Sequence, residues 1–321
     1  MKLGFRTGGH LDNEMLTFAA QLGVDVLLAE GRDLPSDRTW SYEDLLHLRQ
    51  RVESVGLELG AIQGLPEECY DRIRLGLPGR DAQIEQVCQV VRAMGRAGIP
   101  ILGYHFNQTG TAWRTEYSPT GRGGAWVTKY DHSLVANAPK LYDGPEDEEA
   151  VWANLLYFLK AVMPVAEEAG VRLALHPDDP PVPRIGGAPL ILRSVAAYQR
   201  AAQLVDSPSH AIKFCQGTVA EMCAKPEEVY AAIRWFAGRG QIAYVHFRNI
   251  RGRSVRFEET YIDEGQVDML VAMRAYHACG FQGILIPDHV PGMVADSPWG
   301  HRSRAYAMGY MQGLLRCVGA R

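Results

Sequence analysis

The chain of 321 residues lacks the features that would commit it to a membrane, a nucleic acid or the oxidising exterior. No apolar run approaches the roughly 20 residues that a membrane-spanning helix needs. The opening Met1-Lys-Leu-Gly-Phe-Arg6 enters a strand pattern with no apolar signal segment before it. Basic charge is not in surplus. The net charge is −4 and the isoelectric point is near 6.2, so there is no general footprint for nucleic acid or an acidic lipid surface, and a local site must supply any anion binding. The six cysteines (Cys69, Cys88, Cys215, Cys223, Cys279 and Cys317) are scattered, with no Cys-x-x-Cys pair and none of the density of a disulfide scaffold. Low-complexity segments, linkers and short internal repeats are missing too. These absences point to a soluble, cytoplasmic protein with free thiols. What remains is an ordinary globular composition, 47% hydrophobic and 22% charged, ample for one large core. Because α/β barrels reach this length as one unit, a single domain over 1–321 is expected.

The chain is organised around Leu173-Ala-Leu-His-Pro-Asp-Asp-Pro-Pro181, an apolar run that stops in a histidine, two carboxylates and three prolines. Val171 to Leu175 reads as a buried strand, since Pro177 cannot continue a ladder, and His176 therefore sits at its carboxyl end. Three later runs end alike: Ala211–Cys215, Ile242–His246 and Ile284–Asp288. Segments of helical period separate them, and that alternation implies a parallel sheet with all carboxyl ends on one face. One histidine at a strand end is more often a packed core residue than a ligand. Four metal-competent side chains on four successive strand ends are harder to dismiss. His176, Cys215, His246 and Asp288 form a donor set suited to manganese, iron, cobalt or zinc. Ligands from separate strands beneath a long loop fit an open catalytic site better than a structural staple.

Read in order, the earlier strands are Leu3 to Arg6, Asp25 to Ala29, Glu58 to Gln63 and Ile99 to Phe106, and the eighth apolar run is Gly283 to Pro287. Helical patterns follow near 12–22, 41–55, from 81, and at 147–169, 189–205, 227–236, 267–279 and 305–318. Residues 64–79 and 251–264 read as loop and charged connection. Eight strands with eight helices predict a (β/α)8 TIM barrel, whose active site lies at the carboxyl face of the strands. The stretch 107–146 has no clear period and is rich in Gly, Thr, Trp, Arg and Tyr. Its length and the aromatics Trp113, Trp126 and Tyr130 predict an ordered lid rather than a disordered segment.

Polar side chains surround the proposed ligands. His289 follows Asp288, Asp178 and Asp179 follow His176, and Arg6, Arg114, Arg248 and Arg302 fall at strand ends or carboxyl-face loops. An arginine fork suits a carboxylate, so an anionic, hydroxylated substrate is expected, with Arg6, Arg114, Arg248, Asn249 and Asp178 as its binding residues.

The segments Leu175-His-Pro-Asp-Asp-Pro-Pro181, Phe214-Cys-Gln-Gly-Thr218, Val245-His-Phe-Arg-Asn249 and Pro287-Asp-His289 resemble the signature stretches of the mannonate dehydratase family. Arg74-Leu-Gly-Leu-Pro-Gly-Arg-Asp81, Trp113-Arg-Thr115 and Met311-Gln-Gly-Leu314 do so as well, in the same order over nearly the whole chain. The resemblance implies a xylose-isomerase-like barrel and a divalent metal, manganese first and iron second. It implies loss of water from D-mannonate, or a closely related aldonate, to give 2-keto-3-deoxy-D-gluconate. It places the metal ligands on His176, Cys215, His246 and Asp288, proton transfer on His289, and the chain in a homo-oligomer, a dimer or higher. One position departs. The family carries Gly-Leu-Tyr-Asp-Arg-Ala before its last helix, and this chain has Gly300-His-Arg-Ser-Arg-Ala305, so Arg302 stands in place of a tyrosine linked to proton transfer. Arginine only donates hydrogen bonds. The expectation is that Arg302 belongs to the catalytic centre, with His289 or His301 moving the proton or Arg302 binding an additional anionic group of the substrate. The alternatives are a metal-dependent sugar or sugar-acid isomerase or epimerase, and a metal- or sugar-binding homologue without catalysis.

Overall fold

The structure is a computed structural model that describes residues 1–36, 38–109, 112–140 and 144–320. Eight parallel strands close into a barrel in chain order: Lys2–Arg6, Val26–Ala29, Glu58–Ile62, Ile101–Tyr104, Arg172–Leu175, His210–Cys215, Ile242–His246 and Ile284–Ile286. The last pairs with the first, Lys2 opposite Ile284 and Leu3 opposite Leu285. Every barrel strand falls on one of the eight apolar runs. Short apolar runs bounded by turn residues are what a strand buried on both faces requires.

Two apolar layers hold the barrel together. Inside it, Val26, Leu28, Ala61, Ile101, Ala174, Ala211, Ala243, Tyr244, Ile284 and Ile286 form one buried cluster. Between strands and helices lies the larger core, built from the alternate strand residues, such as Leu3, Phe5 and Leu27, and from helix faces such as Val87, Val91 and Met94. Helix ends follow local chemistry. Ser41 and Asp44 form a reciprocal capping box at Tyr42–Glu53, Asp147 accepts from Ala150 N at the start of Glu148–Ala169, and Gly170 closes that helix with φ 67°.

The excursions depart from the sequence reading. The stretch 107–146 is a lid with its own sheet: Glu116–Ser118 and Val127–Asp131 pair with each other, and Val127–Asp131 also pairs with Arg256–Glu259, which folds back on Ile250–Arg253. The charged connection 251–264 thus contributes a β-hairpin, and lid and hairpin form one four-stranded antiparallel sheet over the barrel mouth. Tyr130 and Phe257 stand opposite each other and pack with Val182, Ile185 and Leu190 in a small separate core, with Trp113 against it. Residues 110–111 and 141–143 of the lid lie outside the described residues. Two shorter corrections concern helices. Residues 189–205 hold a helix only over Val195–Ala202, because Arg184–Ile185 and Ala188–Pro189 pair first, and Asp71–Leu75 and Gln216–Met222 are additional helices. Among the described residues no helix is long and apolar enough to cross a membrane.

Candidate active site and its metal-competent cluster

All eight strand ends deliver a polar side chain to the barrel mouth: Arg6, Glu30, Gln63, His105, His176, Lys213 with Cys215, His246 and Asp288. Together they line a cavity of about 390 Å³, except Cys215, which is buried behind it. At its floor His176, Cys215 and His246 come together, with ligand atoms all within 4.8 Å of one another. The three are 5%, 0% and 4% exposed, a depth at which unliganded polar donors are rare.

The hydrogen bonds around the cluster decide which atoms face inward. His176 Nδ1 donates to Pro177 O at 2.6 Å, which leaves Nε2 with its lone pair. Gln63 Oε1 accepts from Tyr244 Oη at 3.0 Å and from His246 Nε2 at 3.1 Å. That leaves His246 Nδ1 without a hydrogen-bond partner, 3.2 Å from Asp288 Oδ2. The tautomers follow from this network. A bare imidazole nitrogen and a carboxylate oxygen facing each other at such a distance make a contact that a shared cation relieves. Burial holds both imidazoles below their ordinary range, His246 down to about 4, so they stay neutral as ligands must. Burial also pushes the Cys215 thiol up to about 11, against the pull of Arg248, and Thr218 Oγ1 donates to its sulfur at 3.1 Å. The donor set fits a first-row divalent metal. Asp288 stands beside this trio rather than within it, because Arg6 Nη1 holds its Oδ1 at 2.5 Å and Arg248 Nε lies 3.3 Å from Oδ2.

Two glycines make the geometry possible. A Cβ on Gly103 would lie 2.4 Å from Tyr244 Oη and 2.5 Å from Gln63 O, and one on Gly217 would lie 2.4 Å from the Arg248 guanidinium. Any side chain at either position would displace the groups that orient His246 or neutralise the carboxylates.

Above the floor lies an interlocked set of charges. Arg114 pairs with Asp179 at 2.7 Å and with Glu259, and Arg248 pairs with Asp179 at 2.8 Å and Glu221 at 3.2 Å. Arg6 pairs with Glu30 at 2.8 Å as well as Asp288. Glu259 reaches the mouth from the hairpin and meets His289 Nδ1 at 2.5 Å. Burial alone would raise the Glu259 carboxyl, but Arg114 and His289 hold it well below the usual range, so it is an anion that fixes the proton of His289 on Nδ1. His289 Nε2 is the ring nitrogen left for the cavity, 3.8 Å from Asp288 Oδ2. His289 lines both the inner cavity and an outer cleft of about 660 Å³ that opens toward Trp126 and Trp299. The lid is fastened across this cleft by paired backbone bonds between Trp126 and Gly292.

Several expected site residues do other work. Asp178 is 1% exposed and accepts from Leu192 N at 2.6 Å, so it pins the loop after the fifth strand, while its neighbour Asp179 faces the cavity. Asn249 is fully engaged, donating to Ile262 O and Val267 O and accepting from Ile250 N and Val267 N, which ties the hairpin to the barrel. Arg248 is buried and serves as a counter-ion to Asp179, Glu221 and Asp288. Arg302 is exposed and donates to Val294 O at 2.9 Å; its helix, His301–Cys317, turns Ser303 inward and sets Arg304 against Pro287 O and Asp288 O instead. His301 Nδ1 lies 3.1 Å from Asp296, also away from the cluster. The residues that sequence reasoning missed are Glu30, Gln63, His105, Lys213 and Glu259, and Asp179 was named beside Asp178 without being given a role. Most share the signal that was used for the ligands, a polar residue at a strand end, but without a metal-competent neighbour pattern to single them out.

A closed barrel of eight parallel strands alternating with helices, with its polar site at the strands' carboxyl ends, defines a TIM barrel. A xylose isomerase domain protein from Planctomyces limnophilus shares the fold with a TM-score of 0.65 at 14% identity, over 100% of this chain and 98% of that one. The chain belongs to the D-mannonate dehydratase (UxuA) family, whose model matches residues 1–143 and 140–321. It is 31% identical to the mannonate dehydratase of Thermotoga maritima over 358 aligned positions, covering 99% of this chain and 98% of that one. It resembles the crystal structure of mannonate dehydratase from Streptococcus suis serotype 2, with a TM-score of 0.89 and 32% identity over 99% of this chain and 95% of that one. An alignment of 358 positions against 321 residues means that the Thermotoga protein carries segments this chain lacks. The two matched segments meet at 140–143, within the lid.

Proposed function

We propose that the protein is a metal-dependent hydro-lyase that removes water from D-mannonate, or a closely related aldonate, to give the 2-keto-3-deoxy acid. The observation that carries this reading is the meeting of His176, Cys215 and His246 at a cavity that also holds His289 in a fixed tautomer. Full-length membership in the dehydratase family supports it. His176, Cys215, His246 and Asp288 would hold the ion, since Asp288 Oδ2 already faces the bare His246 nitrogen at 3.2 Å while Oδ1 stays on Arg6. The resemblance favours manganese, with iron second, and a cytoplasmic homo-oligomer. A divalent ion bound there supplies Lewis acidity for the negative charge that develops beside the substrate carboxylate.

The remaining work falls to side chains. Dehydration takes a weakly acidic proton from C2 and expels the C3 hydroxyl, a poor leaving group. His289 Nε2 is the atom at which that proton is taken up or given, because Glu259 occupies Nδ1. Glu259 and Asp179 lock Arg114 over the cavity, and the lid borders the outer cleft that leads to it. A panel of aldonic acids and aldoses, assayed for 2-keto-3-deoxy acids and for isomers, tests the reading. Formation of isomers alone would move the chain to the epimerase class, and no turnover with retained metal would mark a binding protein.

The placement of Arg302 yields a second expectation. Because its side chain is exposed and bonded to a loop carbonyl, Arg302→Ala and Arg302→Tyr should both leave kcat/KM on the best aldonate within about twofold of wild type. A steady-state comparison checks this, and a gain or loss of tenfold or more would return residue 302 to the catalytic centre.

A further inference from the structure

The sixth strand carries a charged group that the proposed dehydration leaves unused. Lys213 lies two positions before Cys215 on the same strand face, so it points into the barrel at the level of the cavity floor. It is 2% exposed. Its Nζ donates to Gln63 O at 2.9 Å and stands 3.3 Å from His105 Nε2, and among the described residues no carboxylate comes within ion-pairing distance. The carboxylates that act on it through space are Glu30 and Asp288, and Arg6 binds both. Lys213 lines the inner cavity together with His105, His176, His246 and Asp288.

A buried ammonium without a counter-ion is costly, and in a ligand cavity the missing charge can come from the ligand. The arginines that would ordinarily be credited with binding an acid are already matched: Arg6 by Glu30 and Asp288, Arg114 by Asp179 and Glu259, Arg248 by Asp179 and Glu221. A second observation points to the same place. Gln63 is 4% exposed and lines the cavity, and with its oxygen taken by Tyr244 and His246 its Nε2 is a buried donor without a partner. One oxygen acceptor beside Lys213 and Gln63 would satisfy both groups.

We propose that Lys213, assisted by the Gln63 amide, binds the carboxylate of the acid sugar and so sets the preference of the site for an aldonate over a neutral polyol or amide. This rests on the acid-sugar reading above. The direct test measures binding of D-mannonate and of D-mannonamide, which has the same carbon skeleton without the charge, to manganese-loaded protein by calorimetry. Wild type should prefer the acid, and Lys213→Met should cut that preference about tenfold while binding the amide nearly as well as before. A merely structural lysine would weaken both ligands alike, which would overturn the proposal, as would an unchanged preference. Failure of wild type to bind either compound would instead reject the acid-sugar reading. If Lys213→Met does not fold, Lys213→Gln and a structure of wild type with D-mannonate decide the matter. A carboxylate oxygen within hydrogen-bond reach of Nζ is expected, and a carboxylate seated on an arginine with Lys213 untouched contradicts it.

Discussion

Replacing His289 by alanine is expected to lower kcat on D-mannonate by about 10²- to 10⁴-fold, the usual worth of a positioned acid or base. Metal content should stay at the wild-type level, because His289 is not one of the proposed ligands and Asp288 retains its contacts with Arg6 and His246. The neighbouring carboxylate sharpens the expectation. Glu259 holds the His289 proton on Nδ1, so Glu259→Gln, which keeps the shape but not the charge, should also lower kcat, by at least about tenfold, with little change in KM. Single-turnover and steady-state kinetics on the metal-loaded variants check both. Full activity in His289→Ala would place the proton transfer elsewhere in the cavity.

The second large effect concerns the cluster. Cys215→Ala and His246→Ala should each reduce bound manganese from about one ion per chain to below about a tenth of that after dialysis, as read by elemental analysis. Each substitution removes one member of a trio whose donor atoms lie within 4.8 Å of one another, and neither the two that remain nor Asp288 beside them can replace it. A decoy control is Cys223→Ala: this buried thiol lies outside the trio and should leave metal content unchanged. Unchanged occupancy in both cluster variants would refute the ligand assignment.

The barrel was legible because its strands are buried on both faces. Such strands must be short apolar runs, and the eight runs in the sequence are the eight staves of the barrel. The cluster was legible for the same reason, since the first polar residue after an apolar run stands at the mouth, and His176, Cys215 and His246 are such residues. The roles of the arginines were not legible. Whether Arg6, Arg114 or Arg248 is free to bind an anion depends on hydrogen-bonded carboxylates 24 to 282 residues away in sequence, such as Glu30, Asp179, Glu221, Glu259 and Asp288. Glu259 could not be found from its surroundings, because the hairpin strand Arg256–Glu259 is set over the mouth by pairing with a lid more than a hundred residues earlier. Asp178 and Asp179 are indistinguishable in the sequence, and only the turn of the backbone between them sends one to Leu192 N and the other to the cavity. Arg302 was placed by its position relative to a family motif, which locates a residue along the chain but not around the circumference of its helix.

The most direct test of the whole account follows the conversion of D-mannonate by the purified protein, with the 2-keto-3-deoxy product identified by mass and by colour assay. Samples are compared as isolated, after exhaustive chelation, and after return of manganese. The account expects product formation that disappears with the metal and returns with it, and that is lost in Cys215→Ala under every condition. Turnover that persists in fully chelated protein, or conversion to an epimer with no loss of water, would contradict it.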